Sequence, residues 1–327
     1  MPHAIGLDLG GTQLKYGIVT EGGTIEFNAA RVTGRTKSPG QVLEIMSDAI
    51  GECLCVAKEK GFSIAGVGAA CPGAIDTATG VALGNVQHLA SWQGTRIKDV
   101  LEDKCHLPVM VDNDANLMTF AESLLGAARG MSLVVGVTLG TGVGGGFVID
   151  GEIYHGGNFH GAEIGHVVVE ANGRPCPCGG RGCMTMYCGA AALASDAAAA
   201  LPQDDSSLLH DIASGDTVLA PSQILKAYSL GDALAGRLMQ NQAFFLAAGL
   251  TSVVHLLNPD VIVIGGGMIE AGGGLVEQVR KEFTCRSMRP MSDHVAIVPA
   301  QFGNRAGIIG AGLLSLKASD LRPYSHA

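Results

Sequence analysis

The sequence has little positive charge. Its 21 lysines and arginines are outnumbered by 30 aspartates and glutamates, and the formal net charge is −9. No cluster of basic residues offsets this balance, which argues against nucleic acid as a partner. The phosphate groups of a small substrate would therefore be held by local backbone amides and a metal ion.

Signals for export and membrane insertion are also missing. The N-terminus leads directly into an apolar strand, without the basic start and cleavage site of a signal peptide. The longest apolar region, 244–264, is interrupted by His255, Asn258, Pro259 and Asp260, which argues against a membrane span. We therefore expect a cytoplasmic protein whose nine cysteines are thiols or metal ligands.

An internal repeat organises the chain. The strand 4–9 ends in Gly10-Gly11-Thr12, and the strand 133–139 ends in Gly140-Thr141-Gly142; each is followed by a returning strand. With 327 residues, of which 47% are hydrophobic, the chain has material for two cores. The repeat predicts two similar α/β domains facing a cleft, unless two glycine-rich hairpins resemble each other by chance.

One helix has clear boundaries in the sequence. Apolar residues recur three and four positions apart between 42 and 57. Ser38 can cap this helix, Pro39 suits its first turn, and Gly61 follows its last residues.

Glycine turns are the first candidate phosphate sites. Successive backbone N–H groups in such turns can grip phosphate oxygens. None matches the Walker pattern, because no Gly-Lys-Ser or Gly-Lys-Thr occurs, and a single turn of this kind is usually only a tight turn. Three of them, each after an apolar strand, indicate a bound nucleotide. The residues concerned are Gly10, Gly11, Thr12, Gly140, Thr141, Gly142, Gly265, Gly266 and Gly267.

Carboxylates accompany two of the strand ends. Asp8 precedes the first glycine turn, where it could bind Mg²⁺ beside the phosphates or merely cap the turn. Asn113 and Asp114 follow a short apolar strand and precede a helix predicted from about residue 116. Asp114 could accept the proton of an attacking sugar hydroxyl while Asn113 orients a neighbouring one. The alternative role for this pair is an N-cap.

The strongest local pattern is a metal cluster. His166, Cys176, Cys178 and Cys183 lie within eighteen residues and match a closed tetrahedral zinc site, which would be structural. The alternative is a chance grouping of buried cysteines, and nearby Cys188 is predicted to be a core thiol. A zinc ion on His166 would also hold the neighbouring Glu163 rigidly toward the cleft, where it could accept hydrogen bonds from sugar hydroxyls.

Together these motifs resemble the ROK family (repressor, open reading frame, kinase), and in particular its glucokinase-like members. The resemblance covers nearly the whole chain. Its parts are Asp8 to Thr12 and Leu139 to Gly146 as phosphate motifs, Asn113 to Asn116 as the catalytic segment, Glu163 to His166 as the sugar-binding Glu-x-Gly-His, Cys176 to Cys183 as the zinc loop, and Gly265 to Gly267 as the adenosine-side turn.

The resemblance implies the actin-like ATPase fold, with two RNase H-like α/β domains around a central cleft. The N-terminal domain would span 1–125 and be joined by a C-terminal helix at about 304–318, and the C-terminal domain would span 126–303. It also implies ATP-dependent, Mg²⁺-dependent transfer to the 6-hydroxyl of a hexose, with Asp114 as base. Asn113, Glu163 and His166 would contact the sugar, Zn²⁺ would be structural, and the protein would be a homodimer.

One residue departs from the family pattern. The zinc loop of family kinases usually continues Cys-x-Glu, and that glutamate reaches the C1 and C2 end of the sugar. Here Thr185 follows Cys183 and Met184, so its neutral hydroxyl is the candidate sugar contact. The segment 85–89 also looks longer than its glucokinase counterpart. Glucose is the leading substrate, and N-acetylmannosamine, N-acetylglucosamine or another hexose are alternatives.

Two regulatory functions compete with an enzyme. Family repressors carry a helix-turn-helix domain before the first phosphate motif, and here that motif begins at Asp8, so we do not expect a DNA-binding domain. A sugar-binding regulator without catalysis is the other possibility. The presence of Asp114 argues against it.

Overall fold

The computed structural model describes residues 2–34, 38–84, 86, 89, 91–213, 219–272 and 274–320. Three residues of the segment 85–89, Asn85, Gln87 and His88, lie outside that part. The chain forms two compact units. Unit 1 comprises Met1–Gly126, Glu152–Gly161 and Asn304–Ala327, and unit 2 comprises Ala127–Gly151 and Ala162–Gly303.

Strands and helices alternate along the described chain. The strands are β1 (His3–Leu9), β2 (Gln13–Thr20), β3 (Ile25–Val32), β4 (Ile64–Cys71), β5 (Ile75–Asp76), β6 (Val81–Ala82), β7 (Val109–Asn113), β8 (Leu133–Leu139), β9 (Val143–Ile149), β10 (Glu152–Ile153), β11 (Val261–Gly265) and β12 (Ala296–Pro299). The helices are α1 (Pro39–Lys60), α2 (Ile97–Cys105), α3 (Asp114–Leu124), α4 (Thr185–Cys188), α5 (Ala190–Ala200), α6 (Leu209–Ala213), α7 (Pro221–Ser229), α8 (Ala233–Leu257), α9 (Gly267–Glu270), α10 (Leu275–Arg286), α11 (Arg289–Ser292) and α12 (Ala306–Asp320). None of these helices is long and apolar enough to cross a bilayer.

The same strand arrangement occurs in both units. In unit 1 the order is β3-β2-β1-β4-β7, with β1 antiparallel to β2 and parallel to β4. Strand β7 continues the sheet parallel to β4. In unit 2, β9-β8-β11-β12 repeats the pattern of one antiparallel hairpin followed by two parallel strands. The repeat noted in the sequence is therefore a repeat of topology, with a glycine turn joining the hairpin strands each time.

Helix boundaries follow the local signals. Helix α1 starts after Ser38, whose side chain accepts from the N–H of Gln41 in a capping box, and it ends at Gly61 in the left-handed conformation. Helix α3 begins at Asp114, two residues before the predicted start, because Asn113 acts as its cap. The final helix is Ala306–Asp320, against a prediction of about 304–318.

Glycines allow the final helix to lie directly on the sheet of unit 1. A Cβ added at Gly6 of β1 would overlap the carbonyl oxygen of Ile308, and one at Gly68 of β4 would overlap that of Ala311. The backbone of α12 therefore rests against the backbones of two strands. This packing brings the start of α12 to the carboxyl ends of β1 and β4.

We expect Gly68→Ala to destabilise the protein by about 3 kcal/mol, because its methyl group would force α12 away from the sheet. Gly51→Ala is the matched control, since Gly51 is exposed in α1 and a Cβ added there would meet no atom within 4 Å. That change should stabilise the protein by about 0.5–1 kcal/mol through helix propensity. Urea denaturation followed by circular dichroism measures both, and equal stability of Gly68→Ala and wild type would contradict the packing argument.

Candidate functional site

Three aspartates meet at one edge of the unit 1 sheet. Asp8 of β1 is in register with Ala70 of β4, and Ala70 is in register with Asp112 of β7. These are the carboxyl ends of parallel strands, the edge at which open α/β sheets bind ligands. Burial is the main cause that raises the pKa of the Cys71 thiol at this edge, and the charges of Asp114, Asp8 and Asp112 raise it further.

Asp8 lies against the first turn of α12. A Cβ at Gly307 would come within 2.5–2.8 Å of its carboxyl atoms, so only glycine fits there without moving the side chain. Burial raises the pKa of Asp8, and the charge of Lys15 on the paired strand opposes the shift. The carboxylate form is therefore costly here, and a cation bound beside it would favour that form.

Asn113 caps α3 and ties it to the turn that follows β4. Its Oδ1 accepts from the N–H groups of Ala115 and Asn116 at 2.9 and 3.1 Å, and its Nδ2 donates to Gly73 O at 3.0 Å. The capping role that the sequence left open therefore belongs to Asn113. Asp114 is the first helical residue, half-buried, with its Oδ1 2.9 Å from the N–H of Ala115.

Two polar residues at this edge escaped the sequence analysis. Asp112 has a side chain only 2% exposed, and its Oδ2 lies 2.7 Å from Nε2 of His155. Asp112 stands next to the segment 113–116 that the sequence singled out, and could have been noticed there. His155 is 43 residues away in a segment with no motif, so no sequence signal points to it.

The glycine turns are anchored through their own backbones. Gly10 N–H donates to Gln13 O in the first turn, and Gly140 N–H donates to Gly142 O in the second. The third turn lies beside the second, because β11 pairs with β8 and Gly266 comes against the carbonyl of Leu139. Gly266 has φ 98°, a conformation that glycine adopts readily. Because glycine has no Cβ, its backbone can approach the carbonyl of Leu139 closely.

The four predicted metal ligands converge in unit 2. The ligand atoms of His166, Cys176, Cys178 and Cys183 all lie within 4.8 Å of one another. Cys176 Sγ is 3.6 Å from His166 Nδ1, and Cys178 Sγ is 3.7 Å from Cys183 Sγ. Zinc–ligand bonds of about 2.0–2.3 Å give tetrahedral edges of about 3.5–3.8 Å, so this donor set fits a zinc ion.

The other cysteines do not join the cluster. The structure describes all nine cysteines and records each as a free thiol. Cys188 is buried with its Sγ 3.7 Å from the carbonyl oxygen of Gln242, which confirms it as a core thiol.

Two contacts with Val143, the residue after the second glycine turn, link that turn to the metal cluster. Glu163, which is exposed, precedes a short 3₁₀ helix, Ile164–His166, and Gly165 of that helix comes against the carbonyl of Val143. On the other side of the cluster, Thr185 Oγ1 accepts from the N–H of Val143 at 3.0 Å. The residues around the turn are therefore positioned by the same loop that carries the metal ligands.

Each unit assembles its own share of the predicted residues. Unit 1 brings together the first glycine turn, Asp8, Asn113 and Asp114. Unit 2 brings together the second and third glycine turns, Glu163, the metal cluster and Thr185.

Known proteins resemble this chain over almost its full length. The ROK family matches residues 4–318. A glucokinase of Halalkalibacterium halodurans is 33% identical over 313 residues, 95% of this chain and 94% of that protein. A xylose repressor of Bacillus subtilis is 25% identical over 309 residues, 94% of this chain and 75% of that protein.

Solved structures show the same architecture. The structure of a ROK family glucokinase from Streptomyces griseus, in complex with glucose and AMPPNP, is 30% identical with a TM-score of 0.81 and covers 96% of this chain and 99% of that one. The repeated α/β sheets are those of the actin-like ATPase fold, as the sequence predicted.

Proposed function

This chain belongs to the ROK family, and we propose that it is a sugar kinase that transfers the γ-phosphoryl group of ATP to the 6-hydroxyl of a hexose, with glucose as the leading substrate. The observation that carries the proposal is the placement of Asp114 in the first turn of α3, at the same sheet edge as Asp8. A carboxylate base and a candidate cation ligand at one sheet edge suit phosphoryl transfer.

Asp114 acts as the general base. Its carboxylate accepts the proton of the 6-hydroxyl as that oxygen attacks the γ-phosphorus, and the bond from phosphorus to the leaving oxygen of ADP breaks. The position at the N-terminus of α3 supports this role, because the helix dipole stabilises the ionised carboxylate. The half-buried setting limits competition from water.

The glycine turns bind the nucleotide. Backbone N–H groups of Gly10, Gly11 and Thr12 in unit 1, and of Gly140, Thr141 and Gly142 in unit 2, would grip its phosphates. Gly265, Gly266 and Gly267 would lie on the adenosine side. Asp8 is suited to hold Mg²⁺, directly or through water, because carboxylate oxygens are ligands that Mg²⁺ prefers and Asp8 lies near the end of β1, just before the first glycine turn. The bound ion would neutralise phosphate charge.

Zinc has a structural role in this proposal. Four protein ligands leave no open position for water or substrate, so the ion would hold the loop that positions Glu163 and Thr185. His166 would both bind zinc and lie near the sugar. A homodimer is part of the same family-based proposal.

Sugar recognition rests on Asn113, Glu163, His166 and Thr185. Exposed Glu163 can accept hydrogen bonds from sugar hydroxyls. Asn113 uses its side-chain oxygen to cap α3, so a sugar contact would come from the second hydrogen of its amide. Thr185 Oγ1 accepts a hydrogen bond from the N–H of Val143, and its O–H can still donate to the sugar.

The neutral Thr185 also favours a second group of substrates. Where family kinases usually have a glutamate facing the C1 and C2 end of the sugar, this chain has a shorter hydroxyl. An N-acetylated amino sugar such as N-acetylmannosamine or N-acetylglucosamine carries its acetamido group at C2. These sugars, and other hexoses, are the alternative substrates of the same site.

A sugar screen tests the proposal. The purified protein is incubated with ATP, Mg²⁺ and each of glucose, mannose, N-acetylglucosamine and N-acetylmannosamine, and ADP release and the phosphorylated sugar are measured. We expect turnover on at least one hexose, with glucose giving the highest kcat/KM. A higher value for an acetamido sugar would replace glucose as substrate, and no turnover on any hexose would refute the kinase in favour of a sugar-binding regulator.

A further inference from the structure

We propose that His155 is a positioning residue for the general base: it holds the buried carboxylate of Asp112, and through it the first turn of α3 that carries Asp114. This inference rests on the proposed function only in giving Asp114 its role. The contacts themselves lie within unit 1 and connect two segments that are distant in the sequence.

The carboxylate of Asp112 needs partners because it is buried. Its side chain is only 2% exposed, and a buried charge without donors is strongly unfavourable. Oδ1 accepts from the N–H of Asn113 at 2.7 Å and from Nδ2 of Asn116 at 3.0 Å. Oδ2 accepts from Nε2 of His155 at 2.7 Å. These three donors satisfy both oxygens.

The Oδ1 contacts determine how α3 begins. Asn113 is the N-cap of the helix and Asn116 lies in its first turn, so Asp112 holds residues on both sides of Asp114. Asn113 in turn binds the N–H groups of Ala115 and Asn116. Any rotation of the Asp112 carboxylate would therefore disturb the turn from which the side chain of Asp114 projects.

His155 is the donor that comes from another part of the chain. Among the bonds that the described residues make, the other two donors to Asp112 belong to the β7–α3 segment itself. Without His155, one oxygen of a buried carboxylate would lose its partner, and the side chain would turn toward another donor. Hydrogen bonding to Asp112 raises the pKa of His155 against the effect of burial, which is consistent with a strong contact.

The segment Glu152–Gly161 presents His155 in a defined place. Gly161 N–H donates to the carbonyl oxygen of His155 at 2.9 Å and closes the loop. Gly156 has φ 70° and comes against Gly161, so the loop is tight. At its start, Glu152 Oε1 lies 2.6 Å from Lys317 Nζ of α12. The backbone that carries His155 is therefore held on both sides of this residue.

Steady-state kinetics with three variants tests the proposal. We expect His155→Ala to lower kcat by about 10–100-fold, as a displaced catalytic group does. The KM values for sugar and ATP should change little, because transition-state stabilisation is lost and ground-state binding is kept. His155→Gln should recover most of the lost kcat, since its amide can donate from the position of Nε2. His160→Ala, in the exposed part of the same segment, is the control and should match wild type.

Hydrogen exchange gives a readout that needs no turnover. In His155→Ala, the amides of Asn113, Ala115 and Asn116 should exchange faster by about tenfold or more, while His155→Gln and His160→Ala keep the wild-type rates. Unchanged exchange, or wild-type kcat in His155→Ala, would overturn the positioning role. If the wild-type protein phosphorylates no hexose, the proposed function fails, and the exchange rates alone decide whether His155 holds this turn.

Discussion

Asp114→Asn is expected to lower kcat by about 10²–10⁴-fold, the usual contribution of a general base. Asparagine keeps the size of the side chain and can still accept from the N–H of Ala115, so α3 should begin at the same residue. It cannot take the proton of the 6-hydroxyl. The loss should therefore appear in the chemical step and leave sugar binding largely intact.

Two measurements separate these effects. Calorimetric titration gives the sugar affinity of Asp114→Asn, and single-turnover kinetics gives its rate of phosphoryl transfer. Asp103→Asn is a matched control, because Asp103 is exposed on α2 of the same unit and loses the same charge. Near-normal turnover in Asp114→Asn would eliminate Asp114 as the base. Loss of sugar affinity equal to the loss of rate would show a binding role instead.

Cys178→Ser is expected to remove the metal ion and the activity together. A serine hydroxyl is a poor substitute for a zinc-bound thiolate, and closed sites of this kind contribute directly to folding. Losing the ion would release the loop between His166 and Cys183, together with its contacts to the second glycine turn. We expect metal content to fall from about one ion per chain to nearly none, and the unfolding midpoint to fall by about 10 °C.

The control for this prediction is another cysteine of unit 2. Cys285 is exposed on α10 and outside the cluster, so Cys285→Ser should keep the metal, the midpoint and the activity. Metal is measured by mass spectrometry of the purified proteins, and unfolding by scanning calorimetry. A metal-free Cys178→Ser protein with full activity would show that the cluster is dispensable.

Local sequence patterns predicted much of the fold because their causes are local. The boundaries of α1 follow from Ser38, Pro39 and Gly61, which act on adjacent backbone groups. The strand before each glycine turn was visible as an apolar run, and the strand 133–139 has those bounds in the structure. The start of α3 was missed by two residues, because the cap is Asn113 and its side chain is held by Gly73 in the turn after β4.

In the candidate site, too, the sequence revealed features with local causes and missed contacts that depend on the fold. The metal ligands could be found in the sequence because their spacing is short, and the structure brings their atoms together. Thr185 was predicted only as a sugar contact, and its bond to the N–H of Val143 depends on the fold around the loop. The roles of Asp114, Glu163 and Thr185 toward substrate stay predictions until the variants and the sugar screen are measured.

The sequence by itself determined the family, the repeated hairpins and the chemistry available at each turn, since these depend on residue type and short spacing. Only the tertiary structure decided which residues surround Asp114. The sheet order places Asp8, Cys71 and Asp112 on adjacent parallel strands, and the loop after β10 brings His155 to Asp112 from 43 residues away. The physical reason is burial. A buried carboxylate is unfavourable without hydrogen-bond donors, and the donor that Asp112 receives from His155 cannot be identified from any local sequence pattern.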